Sequence, residues 1–255
     1  MSNTGRVDKK LFRDDHYLGK PADDEDKIIS RRISVMERYP EFFNKTLSCI
    51  EVGCGGGATI TRIANRFEKS VGIDIYDYSN EFEHQKQKHG AQNCEFRKVD
   101  LENETLPEKF DRLVSFEVIE HLKSEDSIAA YFKILNDGGM AAISVPNKWW
   151  VFETHGAKLP LLPWNRVPFF SWLPGKIHER YANARIYTAG RITRLFEKHG
   201  FTIIDTCYIT APMDVLKEGR LKRFLVKNVF RNDITTVPML STSIFLMAQK
   251  KFANG

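Results

Sequence analysis

A glycine-rich loop between two carboxylates is the part of this sequence best suited to bind a ligand. The loop from Glu51 to Gly57 reads Glu-Val-Gly-Cys-Gly-Gly-Gly and follows an apolar segment with the length of a buried strand. Glycines let the backbone approach a ligand closely, and a helix that begins after them offers free amide groups. Asp74 ends the next apolar segment, where a carboxylate can accept hydrogen bonds from both hydroxyls of a ribose. The spacing therefore predicts a site for a nucleoside-containing cofactor.

The glycine spacing alone leaves two classes of cofactor open. Gly53, Gly55 and Ala58 satisfy the dinucleotide fingerprint, with alanine in its last place, so a nicotinamide oxidoreductase is one alternative. Acidic residues at the ends of neighbouring strands favour a cationic ligand over a pyrophosphate, because like charges repel in a confined site. These residues are Glu51, Asp100, Glu117 and Glu120.

The elements that position these residues alternate between strands and helices. Strands are predicted at 47–52, 71–74, 94–99, 112–116, 140–145, 201–208 and 243–248. Helices are predicted at about 23–39, 60–67, 78–88 and 128–135, the last with a stop at Gly138-Gly139. A further helix is predicted from 189, where the hydroxyl of Thr188 can cap it, to a stop at Gly200. Such alternation implies parallel pairing through right-handed crossovers. The chain of 255 residues is long enough for one doubly wound α/β domain with insertions.

Together these motifs resemble those of class I S-adenosylmethionine-dependent methyltransferases, and most closely the branch that includes ubiquinone-biosynthesis O-methyltransferases. The residues that carry the resemblance are Glu51, Gly53, Gly55, Gly57, Asp74, Asp100 and the run 116–122. The resemblance covers roughly residues 45–147 and the order of elements after Thr188. It implies a Rossmann-like sheet of seven mostly parallel strands, flanked by helices, with the last strand antiparallel.

The same resemblance implies S-adenosyl-L-methionine as cofactor and S-adenosyl-L-homocysteine as product. Gly53, Gly55 and Gly57 would contact the methionine part and the ribose, with the ribose held at Asp74 and Ile75. Adenine would lie against Asp100 and Leu101. The remaining cofactor-binding candidates are Glu51 and Glu117.

His121 is the candidate general base. It follows the fourth strand at the carboxyl edge of the sheet, where open α/β folds bind ligands, and an imidazole titrates near neutral pH. The alternative is that this histidine only braces its loop. A second hypothesis takes Glu117, Glu120 and His121 as ligands of a divalent metal, since one helical turn would place them on one face. That stretch resembles the metal site of methyltransferases acting on the 3′-terminal 2′-hydroxyl of small RNAs, with His155 or His178 as a further ligand; a site without metal is favoured.

Two insertions interrupt the alternation of elements, at 147–187 and 211–240, and an N-terminal arm and helix occupy 1–40. The first insertion holds all four tryptophans, Trp149, Trp150, Trp164 and Trp172, and would form a lid over the carboxyl edge. These rings predict an acceptor with apolar or aromatic parts, unless they pack only on the protein's own sheet.

The second insertion combines basic residues with the apolar positions Leu221, Phe224, Leu225 and Val229, which would share one helical face. The favoured prediction is an ordinary amphipathic helix with its apolar face on the protein. Contact with an anionic membrane surface, or with a phosphorylated substrate, is the alternative.

Composition narrows the class of protein further. The formal net charge of +5 is spread along the chain and gives no clear sign of nucleic-acid binding. The cysteines are scattered, the N-terminus lacks an apolar signal segment and no run has the length of a membrane span, so a cytoplasmic protein is expected. We therefore expect a methyltransferase that modifies oxygen of a small or lipid-like molecule, with nitrogen or carbon as the alternative acceptor atoms. The alternatives are the metal-assisted RNA 2′-O-methyltransferase and a non-catalytic S-adenosylmethionine-binding protein; the sequence leaves the oligomeric state unknown.

Overall fold

A computed structural model describes residues 24–152, 168–182, 184–213, 216 and 219–252. Its centre is one sheet with the strand order β3-β2-β1-β4-β5-β8-β6-β7. The strands are β1 (Asn44–Val52), β2 (Phe67–Asp74), β3 (Cys94–Lys98), β4 (Phe110–Phe116), β5 (Leu135–Pro146), β6 (Phe201–Thr210), β7 (Ile234–Thr235) and β8 (Ser241–Lys250). The predicted N-terminal arm lies outside the described residues.

The sheet confirms the Rossmann-like α/β fold. Strands β1 to β5 pair in parallel, and β8 runs antiparallel to both β5 and β6. The strand count differs from the seven expected, because the two-residue strand β7 pairs antiparallel with β6 through Tyr208 and Ile209. This extra strand lies within the second insertion, where its two residues are too few to show an alternating pattern.

Helices cover both faces of the sheet. They are α1 (Lys27–Met36), α2 (Ile60–Ile63), α3 (Ser79–His89), α4 (Ile128–Ile134), α5 (Gly175–Tyr181), α6 (Ala189–Lys198) and α7 (Arg220–Asn228). Apolar residues of α1, α2 and α3 pack on one face of the sheet, and those of α4 and α6 pack on the other. Burial on both faces explains why the central strands read as continuous apolar runs. Within the part of the chain that the structure describes, no helix is long and apolar enough to cross a membrane.

Two helix boundaries differ from the sequence prediction. The predicted helix 60–67 is α-helical only to Ile63, and Phe67 already begins β2. The side chain of Asn93 donates to the carbonyl oxygens of Ala64 and Phe67, at 2.9 Å each. These carbonyl groups therefore have hydrogen-bond partners although the helix ends before Phe67. Gly138 and Gly139 were expected to end α4, but both lie inside β5, since strand pairing already begins at Leu135.

The two insertions pack against each other. Trp150 and Phe152 of the first insertion share a small hydrophobic cluster with Leu225, Val226 and Phe230 of the second. Arg31 of α1 links the same region to the sheet. Its guanidinium donates to the carbonyl oxygens of Thr210, Ala211 and Phe230 at 2.6 to 2.7 Å. The proposed division into one domain with an arm and two insertions stays a prediction.

Candidate functional site

A cavity of about 720 Å³ opens at the carboxyl ends of β1, β2 and β4, with one wall formed by α1. Ligands bind at this edge in open α/β sheets. The cavity brings together nine residues that the sequence pointed to: Glu51, Gly53, Gly55, Asp74, Ile75, Asp100, Leu101, Glu117 and His121. Gly57, Glu120 and the tryptophans of the described residues are not part of this lining.

The glycine loop is bent back onto the end of β2. The amide groups of Gly53 and Cys54 both donate to the carbonyl oxygen of Ile73, at 2.8 and 3.0 Å. Gly53 has φ +72°, and a Cβ there would lie 2.3 Å from a methyl carbon of Val118. Only glycine fits this position, because both the backbone conformation and the available space exclude a side chain.

Asp74 holds the same loop from the end of β2. Its Oδ2 accepts from the amide of Gly55 at 2.9 Å, and its Oδ1 accepts from the amide of Tyr76 at 3.0 Å. Each carboxylate oxygen has a further lone-pair direction, so these bonds leave room for a ligand hydroxyl. Asp74 is thereby oriented at the cavity wall before any ligand binds.

Gly57 has a different position from the one that the motif suggested. It lies behind the loop with φ +83°, and a Cβ there would be 2.6 Å from the ring of Phe82. Gly57 lies where the loop packs tightly against α3. A substitution there would affect ligand binding indirectly, by changing the conformation of the loop.

Glu51 is buried at the end of β1, with 4% of its surface exposed. Its Oε2 accepts from the amide of Ile60 at 2.9 Å, so one oxygen caps α2. Burial raises the pKa of Glu51 to about 8, against the opposing effects of the Ile60 and Thr59 hydrogen bonds and the positive charge of Arg32. A cation bound in the cavity would stabilise the ionised form of this carboxyl group.

Asp100 stabilises a turn after β3. Its Oδ1 accepts from the amide of Glu102 at 2.9 Å, and its Oδ2 accepts from the side-chain amide of Asn103 at 2.6 Å. Leu101 follows it in the cavity wall. The contact of Asp100 and Leu101 with adenine remains a prediction. An adenine amino group would have to bond to a carboxylate of Asp100 that already accepts two hydrogen bonds within the turn.

Arg32 is a cavity residue that the sequence analysis missed. Its guanidinium is buried, lies 3.1 Å from the Oε1 of Glu117 and stands over the ring of Phe116. Its Nε has no hydrogen-bond partner among the residues that the structure describes. The available signal was a charged residue on the apolar face of α1, four positions after Ile28 and four before Met36.

The proposed metal triad depended on a helical turn that does not form. Glu117 has φ +57°, and only Ile119–His121 adopt a short 3-10 turn, so the helical one-face spacing is lost. Glu120 is buried outside the cavity lining, and Glu117 pairs with Arg32 and accepts from the hydroxyl of Ser144. His155 lies outside the described residues, and His178 is buried against Phe170. No group of three His, Cys, Asp or Glu side chains that could hold a metal ion occurs among the residues described.

His121 lines the cavity beside Leu122, at the end of the 3-10 turn. The backbone amide of His121 donates to the carbonyl oxygen of Val118 at 2.9 Å, which fixes the turn next to the glycine loop. The structure thus places an imidazole in the wall of the same cavity as Asp74 and Arg32.

The tryptophans of the first insertion fall into two groups. Trp150 is 5% exposed and belongs to the cluster between the two insertions, which fits the alternative that the rings pack on the protein itself. Trp149 and Trp172 meet edge to face at 6.4 Å, and both are partly exposed. Trp164 lies outside the described residues, so the predicted aromatic lid on the acceptor remains a prediction.

The strand order, the antiparallel β8 and a cavity walled by the glycine loop and by acidic side chains define a Rossmann-like class I methyltransferase fold. The chain belongs to the S-adenosylmethionine-dependent methyltransferase family: the family model described as "Methyltransferase domain" matches residues 25–206. The nicotinamide alternative is therefore not supported.

Curated relatives include ubiquinone biosynthesis O-methyltransferases. Those of Pseudomonas fluorescens strain Pf0-1 and Dechloromonas aromatica strain RCB are 32% and 30% identical to this chain over 122 residues. Each match covers 45% of this chain and 53% of the relative, so the match spans about half the length of these proteins.

Solved structures show the same fold at low sequence identity. An S-adenosylmethionine-dependent methyltransferase from Mesorhizobium loti superposes with a TM-score of 0.57 at 15% identity, over 86% of this chain and 96% of that one. Coclaurine N-methyltransferase, bound to N-methylheliamine and S-adenosylhomocysteine, gives 0.59 at 14% identity, over 90% and 76%. The cyclase SpnF also gives 0.59, at 15% identity, over 92% and 86%. The fold is therefore shared by proteins with different reactions, and the reaction must be argued from the site.

Proposed function

We propose that this protein transfers a methyl group from S-adenosylmethionine to oxygen of a small or lipid-like acceptor. The observation that carries the proposal is the charge of the cavity. Asp74, Asp100 and Glu117 line it, and Arg32 is already paired with Glu117. Glu51 adds a buried carboxyl group whose ionised form a bound cation would stabilise. Such a wall suits a cofactor with a sulfonium and an ammonium group, and it opposes the pyrophosphate of a dinucleotide.

Arg32 on α1 supports the same cofactor. Its unpartnered Nε is a buried donor beside the cavity, and an unsatisfied buried donor is costly unless a ligand accepts from it. A methionine part carries both a carboxylate and an ammonium group. We assign the carboxylate to Arg32 and the ammonium to the acidic side near Glu51.

The residues of this chain have limited chemistry to perform. S-adenosylmethionine, when bound, supplies a methyl group on a good leaving group. The protein has to align the acceptor oxygen with that methyl group, exclude water and remove a proton. We assign the proton to His121, because it is the imidazole in the cavity wall and a hydroxyl acceptor gains most from a positioned base.

The choice of oxygen rests on the relatives named as O-methyltransferases and on His121. An amine acceptor needs only to be deprotonated before it attacks. Replacement of His121 by glutamine should therefore reduce turnover of a hydroxyl acceptor roughly a hundredfold and leave cofactor affinity unchanged. Unchanged turnover would remove His121 from the catalytic role.

Calorimetric titration tests the cofactor directly. S-adenosylhomocysteine should bind the wild-type protein, and NADH should not. Asp74→Ala should weaken the binding of S-adenosylhomocysteine at least roughly tenfold, because it removes an acceptor for the ligand and a bond to Gly55. Asp77→Ala is the matched control, since that aspartate is exposed and caps only Ser79. Binding of NADH alone would overturn the proposal.

Metal-assisted methylation of RNA is not the function that we propose. Glu117 is paired with Arg32, and Glu120 is not part of the cavity lining, so Glu117, Glu120 and His121 do not line the cavity as one set of ligands. A non-catalytic role in binding S-adenosylmethionine predicts cofactor affinity without turnover. Screening hydroxyl-bearing acceptors with the intact protein, with and without EDTA, separates these three functions.

A further inference from the structure

Helix α7 presents apolar side chains to solvent, in contrast to the amphipathic packing that the sequence predicted. Leu221 is 67% exposed and Phe224 is 61% exposed, although both were expected to face the protein. These two residues are three positions apart and therefore share one face of the helix. Exposed single apolar residues are common, but a leucine and a phenylalanine side by side on one helix require an explanation.

The adjacent face of α7 accounts for why the helix is oriented in this way. Leu225 and Val226 pack on the cluster formed by Trp150 and Phe230, and Lys222 is buried on the same side. Leu225 and Val226 thus hold the helix on the protein, and Leu221 and Phe224 stay exposed. Rotation of α7 to bury Leu221 and Phe224 would remove Leu225 and Val226 from that cluster.

Basic residues surround the exposed pair. Arg220, Arg223 and Lys227 are exposed on α7, and Arg231 is exposed shortly after it. None of these four residues forms an ion pair with any part of the chain that the structure describes. Helix α7 itself contains no acidic residue. The surface therefore combines unpaired positive charge with protruding apolar side chains.

We propose that α7 docks the protein on an anionic lipid surface. Leu221 and Phe224 enter the boundary between headgroups and acyl chains, while Arg220, Arg223 and Lys227 meet the anionic headgroups. Positive charge complements such a surface, and exposed apolar side chains gain free energy only where an apolar phase accepts them. A nucleic acid would satisfy the charge but not the leucine and the phenylalanine.

The proposal also suits the packing of the two insertions. Helix α7 packs on the cluster that contains Trp150, so α7 and the first insertion are in direct contact. The first insertion also carries Trp149 and Trp172, which would lie close to a membrane bound at α7. These two rings are partly exposed, and an amphipathic indole is well suited to a headgroup region. The docking surface can thus place the first insertion near lipid.

Vesicle co-sedimentation of the full chain tests the proposal. Wild-type protein should sediment with vesicles of phosphatidylcholine containing phosphatidylglycerol, and weakly with phosphatidylcholine alone. Added salt should reduce binding, because it screens the headgroup charge. Leu221→Ser combined with Phe224→Ser should weaken binding at least roughly tenfold, since most apolar contact is lost. Arg223→Gln should weaken it roughly fivefold.

Matched variants distinguish docking from general surface effects. Ile204→Ser removes an exposed isoleucine on β6, and Lys133→Gln removes an exposed charge on α4. Both should bind vesicles as the wild type does, and all variants should retain the affinity for S-adenosylhomocysteine, which reports on the fold independently. Equal binding to neutral and anionic vesicles, absence of binding, or binding unaffected by the α7 changes would overturn the proposal. So would binding of single-stranded RNA through Arg223 without vesicle binding.

Discussion

The cofactor side of the cavity and the pair of insertions differ in what holds their side chains in place. Asp74, Gly53 and Asp100 are fixed by hydrogen bonds to backbone groups close to them in the chain or on the adjacent strand. Trp150, Leu225 and Phe230 are fixed by one another across nearly eighty residues of sequence. The first region is built on strand ends, whereas the second depends on packing between two irregular segments.

Because of this difference, effects on ligand binding and effects on stability should separate between the two regions. Changes at the glycine loop should act mainly on ligand affinity, because the surrounding strands remain buried. Changes at the shared cluster should act mainly on the free energy of unfolding. Five predictions test that comparison, in order of decreasing expected effect.

Trp150→Ala should lower the free energy of unfolding by about 3–5 kcal/mol, because it opens a large cavity between the insertions. Trp149→Ala, at the neighbouring and 39% exposed position, should lower it by less than about 1 kcal/mol. Urea unfolding monitored by circular dichroism measures both. Equal losses would show that the exposed ring is as important to packing as the buried one.

Gly53→Ala should weaken the binding of S-adenosylhomocysteine roughly a hundredfold, through the clash with Val118 and the strained φ. Gly90→Ala isolates the backbone contribution, because Gly90 has φ +62° and no atom within 4 Å of an added Cβ. That control should cost only about 1 kcal/mol of stability and leave affinity intact. Similar affinities for the two variants would contradict the assigned role of the loop.

Arg31 and Arg32 are adjacent, yet they should respond differently to replacement by methionine. Arg31→Met should reduce the free energy of unfolding by roughly 2–3 kcal/mol, since three buried carbonyl oxygens lose their donor. Arg32→Met should weaken S-adenosylhomocysteine binding roughly tenfold, with a smaller change in stability. Thermal unfolding and calorimetry distinguish them. An unchanged affinity in Arg32→Met would remove this arginine from the cofactor site.

Binding of the cofactor should release a proton, because the carboxyl group of Glu51 should ionise when a cation binds beside it. Its pKa of about 8 in the free protein means that the carboxyl group is protonated at neutral pH, and a bound cation should lower that pKa. Affinity should therefore rise by up to roughly tenfold per unit as pH increases toward 8. Calorimetry in buffers of different ionisation enthalpy should detect the released proton in the wild type and not in Glu51→Gln.

The free energy of unfolding should depend on pH in the opposite direction to the cofactor affinity. Because the pKa of Glu51 is raised from 4.5 to about 8, the folded protein binds more protons than the unfolded chain between these values. The free energy of unfolding should fall as pH rises through that window, and Glu51→Gln should reduce the fall. A stability that increases over the same range in the wild type only would contradict the burial of this group.

Prediction from sequence succeeded where one local signal sufficed. Thr188 was expected to begin α6, and its hydroxyl accepts from the amide of Arg191. The prediction failed at Gly138 and Gly139, which the local pattern assigned to the end of α4. Glycine is typical of a helix end, but β5 pairs with β4 from Leu135 onward, so both glycines lie within the strand.

Among the site residues, the glycine loop, Asp74 and the placement of His121 at the carboxyl edge could be predicted from local sequence patterns. Those positions follow from strand ends, and strand ends are visible in apolar periodicity. Three outcomes became apparent only in the folded chain: Arg32 lines the cavity, Glu120 is buried outside its lining, and Phe224 is exposed to solvent. Each of these outcomes depends on which of several possible partners packs against an element, and that choice is made by contacts distant in the chain.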